Sequence, residues 1–168
     1  MDVAVLDSDT IIDILEKPFH HDKDLLLPII DYLRTRYSRA WIPATVKNEF
    51  YGIPWGQRGT SRRKRKRAEK IFSFIDKLRQ GWMTPCPIRS SKTEIEGLIT
   101  KGIDPGEIDS VLQAKKALSH ERYRTPINSM TFISGDTNAL HFARKMSIGI
   151  VPLDEIKADL RQFGIPIP

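Results

Sequence analysis

Four acidic side chains occupy positions in the sequence from which a cation site could be built. Asp7 and Asp136 each follow a short apolar run rich in β-branched residues, a pattern typical of a strand buried on both faces. Glu49 and Asp109 lie in stretches whose apolar residues recur at helical spacing. Because ligands bind at the carboxyl ends of the strands in open parallel sheets, all four acids can converge at one edge. Oxygen-only ligands of this kind suit Mg²⁺ or Mn²⁺.

Mutual repulsion is the physical reason to expect a cation among these acids. Two carboxylates about 5 Å apart repel each other by roughly 3 kcal/mol at an effective dielectric constant of about 20. Six such pairs would oppose folding by an amount comparable to the whole stability of a domain, so protons or cations must offset the charge. Two divalent ions roughly 4 Å apart can deprotonate a water and stabilise the leaving oxygen of a phosphodiester.

Helix capping is an alternative role for several acids. Asp136 could serve only as the N-cap of the helix that follows it, and we expect Ser8 or Asp9 to cap the first helix. Asp104 begins a capping box in which Glu107 reaches back to the start of the helix. The acids therefore indicate either caps or a shared cation site.

Strand-like and helical patterns alternate along the whole chain. They predict an α/β fold of three layers, α/β/α, with a mostly parallel central sheet, as a single domain over residues 1–168. The first helix is expected to end at a break over residues 18–22, which begins with Pro18. Strands are predicted near residues 3–6, 40–43, 82–84, 130–134 and 148–152.

A run of consecutive cations indicates contact with nucleic acid. The net charge of +6 favours an anionic partner, and we interpret the run as part of an exposed loop and helix extension at about residues 53–70 that binds phosphates. Trp55, in the same segment, could stack on unpaired bases. A simply solvated surface and a nuclear localisation signal are the alternative interpretations. The run consists of Arg62, Arg63, Lys64, Arg65, Lys66 and Arg67.

The sequence argues against a membrane segment and against cysteine chemistry. No apolar run approaches the roughly 18 residues that span a bilayer, and no basic region precedes the first apolar run. We therefore expect a cytoplasmic protein. Cys86 is the only cysteine, which excludes an intrachain disulfide or a thiolate cluster.

Four segments, in this order along the chain, resemble the PIN domain family of nucleases. Residues 6–9 are similar to the opening strand and aspartate of that family, and residues 46–50 to its helical glutamate. Residues 106–112 are similar to its third acidic segment and residues 133–138 to its fourth. The resemblance covers essentially the whole chain in its order of elements.

The resemblance implies a metal-dependent endoribonuclease, of which toxins of the VapC kind are one version and RNA-processing enzymes another. Members cut single-stranded RNA, or in some branches structured RNA or DNA flaps, so that DNA is the less expected substrate here. A small antitoxin protein and a homodimer are the partners implied. The residues implied to hold Mg²⁺ or Mn²⁺ are Asp7, Glu49, Asp109 and Asp136, which are also the catalytic residues, with support from Asn138 and Asp9.

A function from a different class fits the same pattern. A nucleic-acid-binding module with a PIN-like fold could keep the basic run for phosphate contacts and use its acids only for a structural ion. The two hypotheses differ in whether phosphodiester bonds are cut.

Overall fold

The chain folds around a five-stranded sheet in which all strands are parallel. The computed structural model describes residues 1–53, 61–99, 103–119 and 126–167. The strand order across the sheet is β3-β2-β1-β4-β5, and the predicted three-layer α/β/α fold is confirmed. The strands are β1 (Asp2–Leu6), β2 (Arg39–Ile42), β3 (Met83–Pro85), β4 (Ser129–Ser134) and β5 (Gly149–Pro152).

Helices cover both faces of this sheet. Between α1 and α2 the chain forms a π-helical turn, Ile12–Glu16, and before α3 a 3₁₀ turn, Lys23–Leu25. The helices are α1 (Ser8–Ile11), α2 (Lys17–His21), α3 (Leu26–Arg36), α4 (Ala44–Phe50), α5 (Arg62–Leu78), α6 (Lys92–Glu96), α7 (Pro105–Ser119), α8 (Thr137–Lys145) and α9 (Leu153–Gln162).

The central strand β1 supplies both halves of the core because its side chains alternate between the two faces. Ala4 and Leu6 pack with α3, α5 and α9 on one face. Val3 and Val5 pack with α7 and α8 on the other. All four side chains are buried, which explains the continuous apolar run in the sequence and fixes the strand whose end carries Asp7.

The first helical segment runs further than expected. The predicted break at Pro18 is wrong, because Pro18 is buried inside α2 and the helical backbone continues to His21. Proline in an α-helix clashes with the carbonyl four residues earlier. Here the wider π-helical turn immediately precedes it and makes room for the ring. The helix ends instead at Asp22, whose backbone is extended.

The basic run is helical and continuous with a buried helix. Ser61 caps α5, and Ala68, Ile71 and Ile75 attach its later turns to the core. Within the predicted extension, residues 54–60, Trp55 among them, lie outside the described residues. In the part of the chain that the structure describes, no helix is long and apolar enough to cross a membrane.

An acidic cavity at the carboxyl edge of the sheet

A cavity of about 230 Å³ opens at the carboxyl edge of the sheet, and six of the seven residues that line it are carboxylic acids. They come from the segment after β1, from α4, from the start of α7 and from the turn after β4. The lining residues are Asp7, Ser8, Asp9, Glu49, Asp104, Glu107 and Asp136.

Asp7 is held rigidly at the end of the central strand. Its Oδ1 accepts a hydrogen bond from the Ser8 backbone N–H at 2.8 Å, and its Oδ2 accepts one from the Ser134 hydroxyl at 2.8 Å. Asp7 is therefore the N-cap of α1, and the prediction that Ser8 or Asp9 caps this helix is wrong. Burial, followed by the neighbouring charges of Asp9 and Glu49, raises the pKa of Asp7 to about 6.

Asp9 ties the first helix to the turn after β4. Its Oδ2 accepts a hydrogen bond from the Gly135 N–H at 2.7 Å, while Oδ1 accepts one from the Thr10 N–H at 2.7 Å. A Cβ atom at Gly135 would lie 2.6 Å from Asp9 Oδ2, so only glycine allows this approach. Burial raises the pKa of Asp9 against the lowering effect of these hydrogen bonds.

Glu49 reaches the cavity from α4 and is oriented by Ser8, whose hydroxyl donates a hydrogen bond to Glu49 Oε2. On its other side, Glu49 Oε1 lies 3.0 Å from the position a Cβ at Gly106 would take. Burial raises the pKa of Glu49, the Ser8 hydrogen bond lowers it, and the charge of Asp104 raises it further. Glycine at position 106 therefore leaves room for the Glu49 carboxylate beside α7.

Glu107 and Asp136 both line the cavity, and the pKa of Glu107 is strongly raised there. Glu107 reaches back as predicted and accepts a hydrogen bond from the Asp104 N–H at 3.2 Å, whereas the Asp104 side chain accepts from the Gly106 N–H at 2.9 Å, one residue before the position of a capping box. Asp136 caps α8 by accepting from the Ala139 N–H at 3.0 Å. Burial, the charge of Asp136 and a hydrogen bond between the two carboxyl groups raise the pKa of Glu107 to about 8. A proton on Glu107 therefore reduces the negative charge of the cavity at neutral pH, as a bound cation would.

The structure brings together only part of the residue set expected from the sequence. Asp7, Glu49, Asp136 and Asp9 line the cavity. Asp109 does not: its Oδ2 accepts a hydrogen bond from Gln113 Nε2 at 2.7 Å inside the protein.

Asp109 instead helps to hold the start of α4 in place through Gln113. Gln113, which it orients, also accepts a hydrogen bond at 3.3 Å from the N–H of Ala44, the first residue of α4. Asn138 lies exposed in the first turn of α8 and does not line the cavity either. Two acids for which the sequence favoured a capping role, Asp104 and Glu107, line the cavity as well.

The donor set of the cavity fits a hard divalent cation. Its donors are carboxylate oxygens and one hydroxyl, the ligands that Mg²⁺ and Mn²⁺ prefer. Burial, and after it the charges of neighbouring carboxyl groups, raises the pKa values of Asp7 and Glu107, so a bound cation would stabilise their ionised forms. In the described ranges no three His, Cys, Asp or Glu side chains are already placed to hold a metal ion together.

A second cleft, of about 220 Å³, adjoins the acidic cavity and shares Ser8 and Glu49 with it. Two of the six consecutive cations, Lys64 and Arg67, form one wall of this cleft, and Phe50 belongs to its apolar lining. Only these two cations of the run line the cleft because residues 64 and 67 lie on the same face of α5 as its buried residues, which follow them in the sequence.

Arg67 forms an ion pair with Glu16 at 3.8 Å and donates a hydrogen bond to His20 at 3.2 Å, and the remaining cations of the run are paired or exposed. Arg65 forms an ion pair with Glu69 at 2.9 Å and lies 5.5 Å from the centre of the Tyr51 ring. Arg62, Arg63 and Lys66 are exposed. The run therefore presents two cations beside the acids and the rest to solvent.

The chain matches no protein-family model and no curated protein sequence. Among solved structures, FitAB bound to an IR36 DNA fragment is similar over 89% of this chain and 94% of that chain, with a TM-score of 0.47 and 17% sequence identity. A similarity at this level concerns the course of the backbone alone. The residue roles proposed below rest on the geometry of this chain.

Proposed function

We propose that this protein is a metal-dependent endoribonuclease of the PIN type, whose acidic cavity hydrolyses phosphodiester bonds of RNA. The observation that carries the proposal is the convergence of six carboxyl groups, from four separate segments, on one cavity, with Lys64 and Arg67 in the cleft beside it. Acids crowded in this way destabilise a fold, so their convergence at one edge points to a role in binding cations.

The residues that would hold Mg²⁺ or Mn²⁺ are Asp7, Glu49, Glu107 and Asp136, with Asp104 at the rim. When bound, the ions would supply charge neutralisation for the phosphate and an acidified water. Asp9 ties α1 to the turn after β4 by accepting from two backbone N–H groups, and like Asp7 it keeps a lone pair on each oxygen with which it could support an ion. Ser8 orients Glu49.

The chain's own groups also prepare the substrate. Lys64 and Arg67, beside Glu49, bind the phosphate next to the one being cut. Without a bound ion, the raised pKa of Glu107, about 8, favours its protonated form at neutral pH, so binding of an ion there would release a proton. Asp109, through Gln113, holds α4 and with it Glu49 in place.

A cleavage assay tests the proposal. Purified protein is incubated with labelled RNA and Mn²⁺, with Asp7→Asn and Asp136→Asn as matched variants that remove one charge each. We expect cleavage by the wild type that EDTA abolishes and that each variant lowers by about a hundredfold or more. Equal cleavage by the wild type and both variants, or no cleavage by any of them, would contradict the enzyme hypothesis.

A second candidate function is a non-catalytic nucleic-acid-binding module. The absence of a ready three-ligand metal site within the described residues favours it, as does the pKa of Glu107, which burial raises to about 8. In that case labelled RNA would bind without being cut, and the binding would not respond to Mn²⁺.

The resemblance of the sequence to the PIN domain family suggests two biological settings for this activity. A toxin would be neutralised by a small antitoxin protein, whereas an RNA-processing enzyme would act on a defined transcript. Both settings would place the protein in the cytoplasm, as a monomer or a homodimer. Co-expression with the product of a neighbouring reading frame, followed by the cleavage assay, separates them.

A further inference from the structure

The side of α5 that faces away from the core carries a row of cations. Successive residues of an α-helix are about 100° apart, and Ala68, Ile71 and Ile75 mark the side of α5 that packs on the protein. On the opposite side, exposed cations fill a sector of about 100° and extend for about 22 Å along the helix. This outer row consists of Arg62, Arg63, Lys66, Lys70 and Lys77.

The charge of the outer row is not paired within the part of the chain that the structure describes. None of its members takes part in the ion pairs there. The acids that flank the row on α5 already have partners. Glu69 forms an ion pair with Arg65 at 2.9 Å, and Asp76 accepts a hydrogen bond from the Gly81 N–H at 2.9 Å.

The cations of the outer row do not stabilise the helix that carries them. Like charges four residues apart repel each other, as Lys66 does with both Arg62 and Lys70. Cations in the first turn also oppose the helix dipole, and the first turn of α5 contains no acid. Both effects disfavour the helix unless an anion lies along the row.

The composition of this surface selects the kind of anion. Among the described residues of α5, the sector holds the cations and Ser73, without an apolar or aromatic side chain. Protein interfaces have an apolar centre, and unpaired bases need aromatic surface on which to stack. Contacts with the phosphates of a duplex need only cations. The outer row therefore suits the backbone of a duplex better than a protein or a single strand.

The convex shape of the helix distinguishes DNA from RNA. An α-helix with its side chains is about 10–12 Å wide, which fits the B-DNA major groove of about 12 Å. The major groove of A-form RNA is too narrow to admit it. We propose that the outer row of α5 docks on double-stranded DNA and contacts phosphates along the major groove, independently of base sequence.

This docking surface is separate from the site of the proposed function. Lys64, which lines the cleft beside Glu49, lies on the opposite side of α5 from the outer row. The docked DNA is therefore a partner and not the substrate of the acidic cavity. The proposal stands whether or not the acids cut RNA.

Lys66→Ala and Lys64→Ala form a matched pair that tests the proposal. They remove the same charge from exposed positions two residues apart, about 200° around one helix. A labelled DNA duplex of two helical turns is titrated in EDTA at several salt concentrations. Phosphate contacts by the whole outer row predict a slope of log affinity against log salt of about −4.5.

We expect Lys66→Ala to reduce the magnitude of this slope by about 0.9, which corresponds to roughly eightfold weaker binding at about 0.1 M salt. Lys64→Ala should leave slope and affinity close to those of the wild type. A DNA duplex of unrelated sequence should bind equally well, because no base is read. An RNA duplex should bind more weakly, with no difference between the two variants.

Equal losses in Lys66→Ala and Lys64→Ala would overturn the proposal, because they would indicate diffuse attraction without a docked face. No binding of the DNA duplex would overturn it as well. So would an RNA duplex or a single strand that binds as tightly as DNA with the same sensitivity to Lys66→Ala. Since EDTA removes divalent cations, these results do not depend on whether the protein cleaves RNA.

Discussion

Glu107 and Asp109 are two residues apart on α7, and this separation decides which of them meets the cavity. Two residues correspond to about 200° around an α-helix, so the two carboxylates face opposite directions. The structure turns Glu107 toward the other acids and Asp109 toward Gln113. The pattern of apolar residues could not decide between them, because α7 is buried nearly all round and shows no clear polar face.

This arrangement predicts different results for two conservative variants. Glu107→Gln should lower cation-dependent RNA cleavage by about a hundredfold, at least the loss typical of residues that only support a metal ligand. Asp109→Asn should stay within about threefold of wild type, because the asparagine oxygen can still accept the hydrogen bond from Gln113. The opposite ranking in a cleavage assay would return Asp109 to the role that the sequence resemblance implies.

Gly135 offers a second test at the level of single atoms. In Gly135→Ala the new Cβ would approach Asp9 Oδ2 to 2.6 Å, and we expect a loss of roughly 1–3 kcal/mol in the free energy of unfolding. Asp9→Ala in the same chain removes the clash. Urea denaturation of both single variants and the double variant should therefore show less destabilisation in the double variant than the sum. Strict additivity would mean that the two residues are not coupled.

At the scale of elements, the alternation of strands and helices was predictable, and the details at prolines and helix faces were not. The strands are short and buried on both faces, so their apolar runs stand out in the sequence. The π-helical turn before Pro18 was not predictable, because its hydrogen-bond register leaves no mark on residue spacing. All four segments in which the sequence suggested an acidic site residue contribute to the lining of the cavity, and from α7 it is Glu107 rather than Asp109 that lines it.

The helix α5 makes a selective prediction for the basic run. Lys64→Ala should weaken RNA binding and lower its salt slope by about 0.7, because Lys64 lines the cleft beside Glu49. Lys70→Ala removes the same charge from an exposed position two turns further along the same helix and should change affinity less. Anisotropy titrations at two salt concentrations compare the variants. Identical losses would indicate a diffuse charge effect without a positioned phosphate.

At the scale of the whole molecule, the crowded acids make stability depend on pH. The pKa of Glu107 is raised from 4.5 to about 8 and that of Asp7 from 3.8 to about 6. Between about pH 4 and pH 8 the folded protein therefore binds more protons at these two carboxyl groups than the unfolded chain does. The stability that these protons supply is complete below about pH 4 and is lost as pH rises toward 8.

Thermal or urea unfolding across this range, in EDTA, measures the effect. The free energy of unfolding should fall from pH 5 to pH 8, and Glu107→Gln should flatten the upper part of that decline. A divalent cation should restore stability at pH 8, because it binds the folded acids and not the unfolded chain. A protein that becomes more stable between pH 5 and pH 8 in EDTA would contradict the raised pKa values.

A calorimetric titration of the protein with Mn²⁺ at pH 7 tests whether the cavity acids bind a divalent cation together. We expect saturable binding accompanied by proton release, since the cation displaces the proton that Glu107 holds. Asp7→Asn should bind at least about tenfold more weakly. Saturable binding that is unaffected by Asp7→Asn and releases no proton, or no binding at all, would show that the cavity acids do not share a cation.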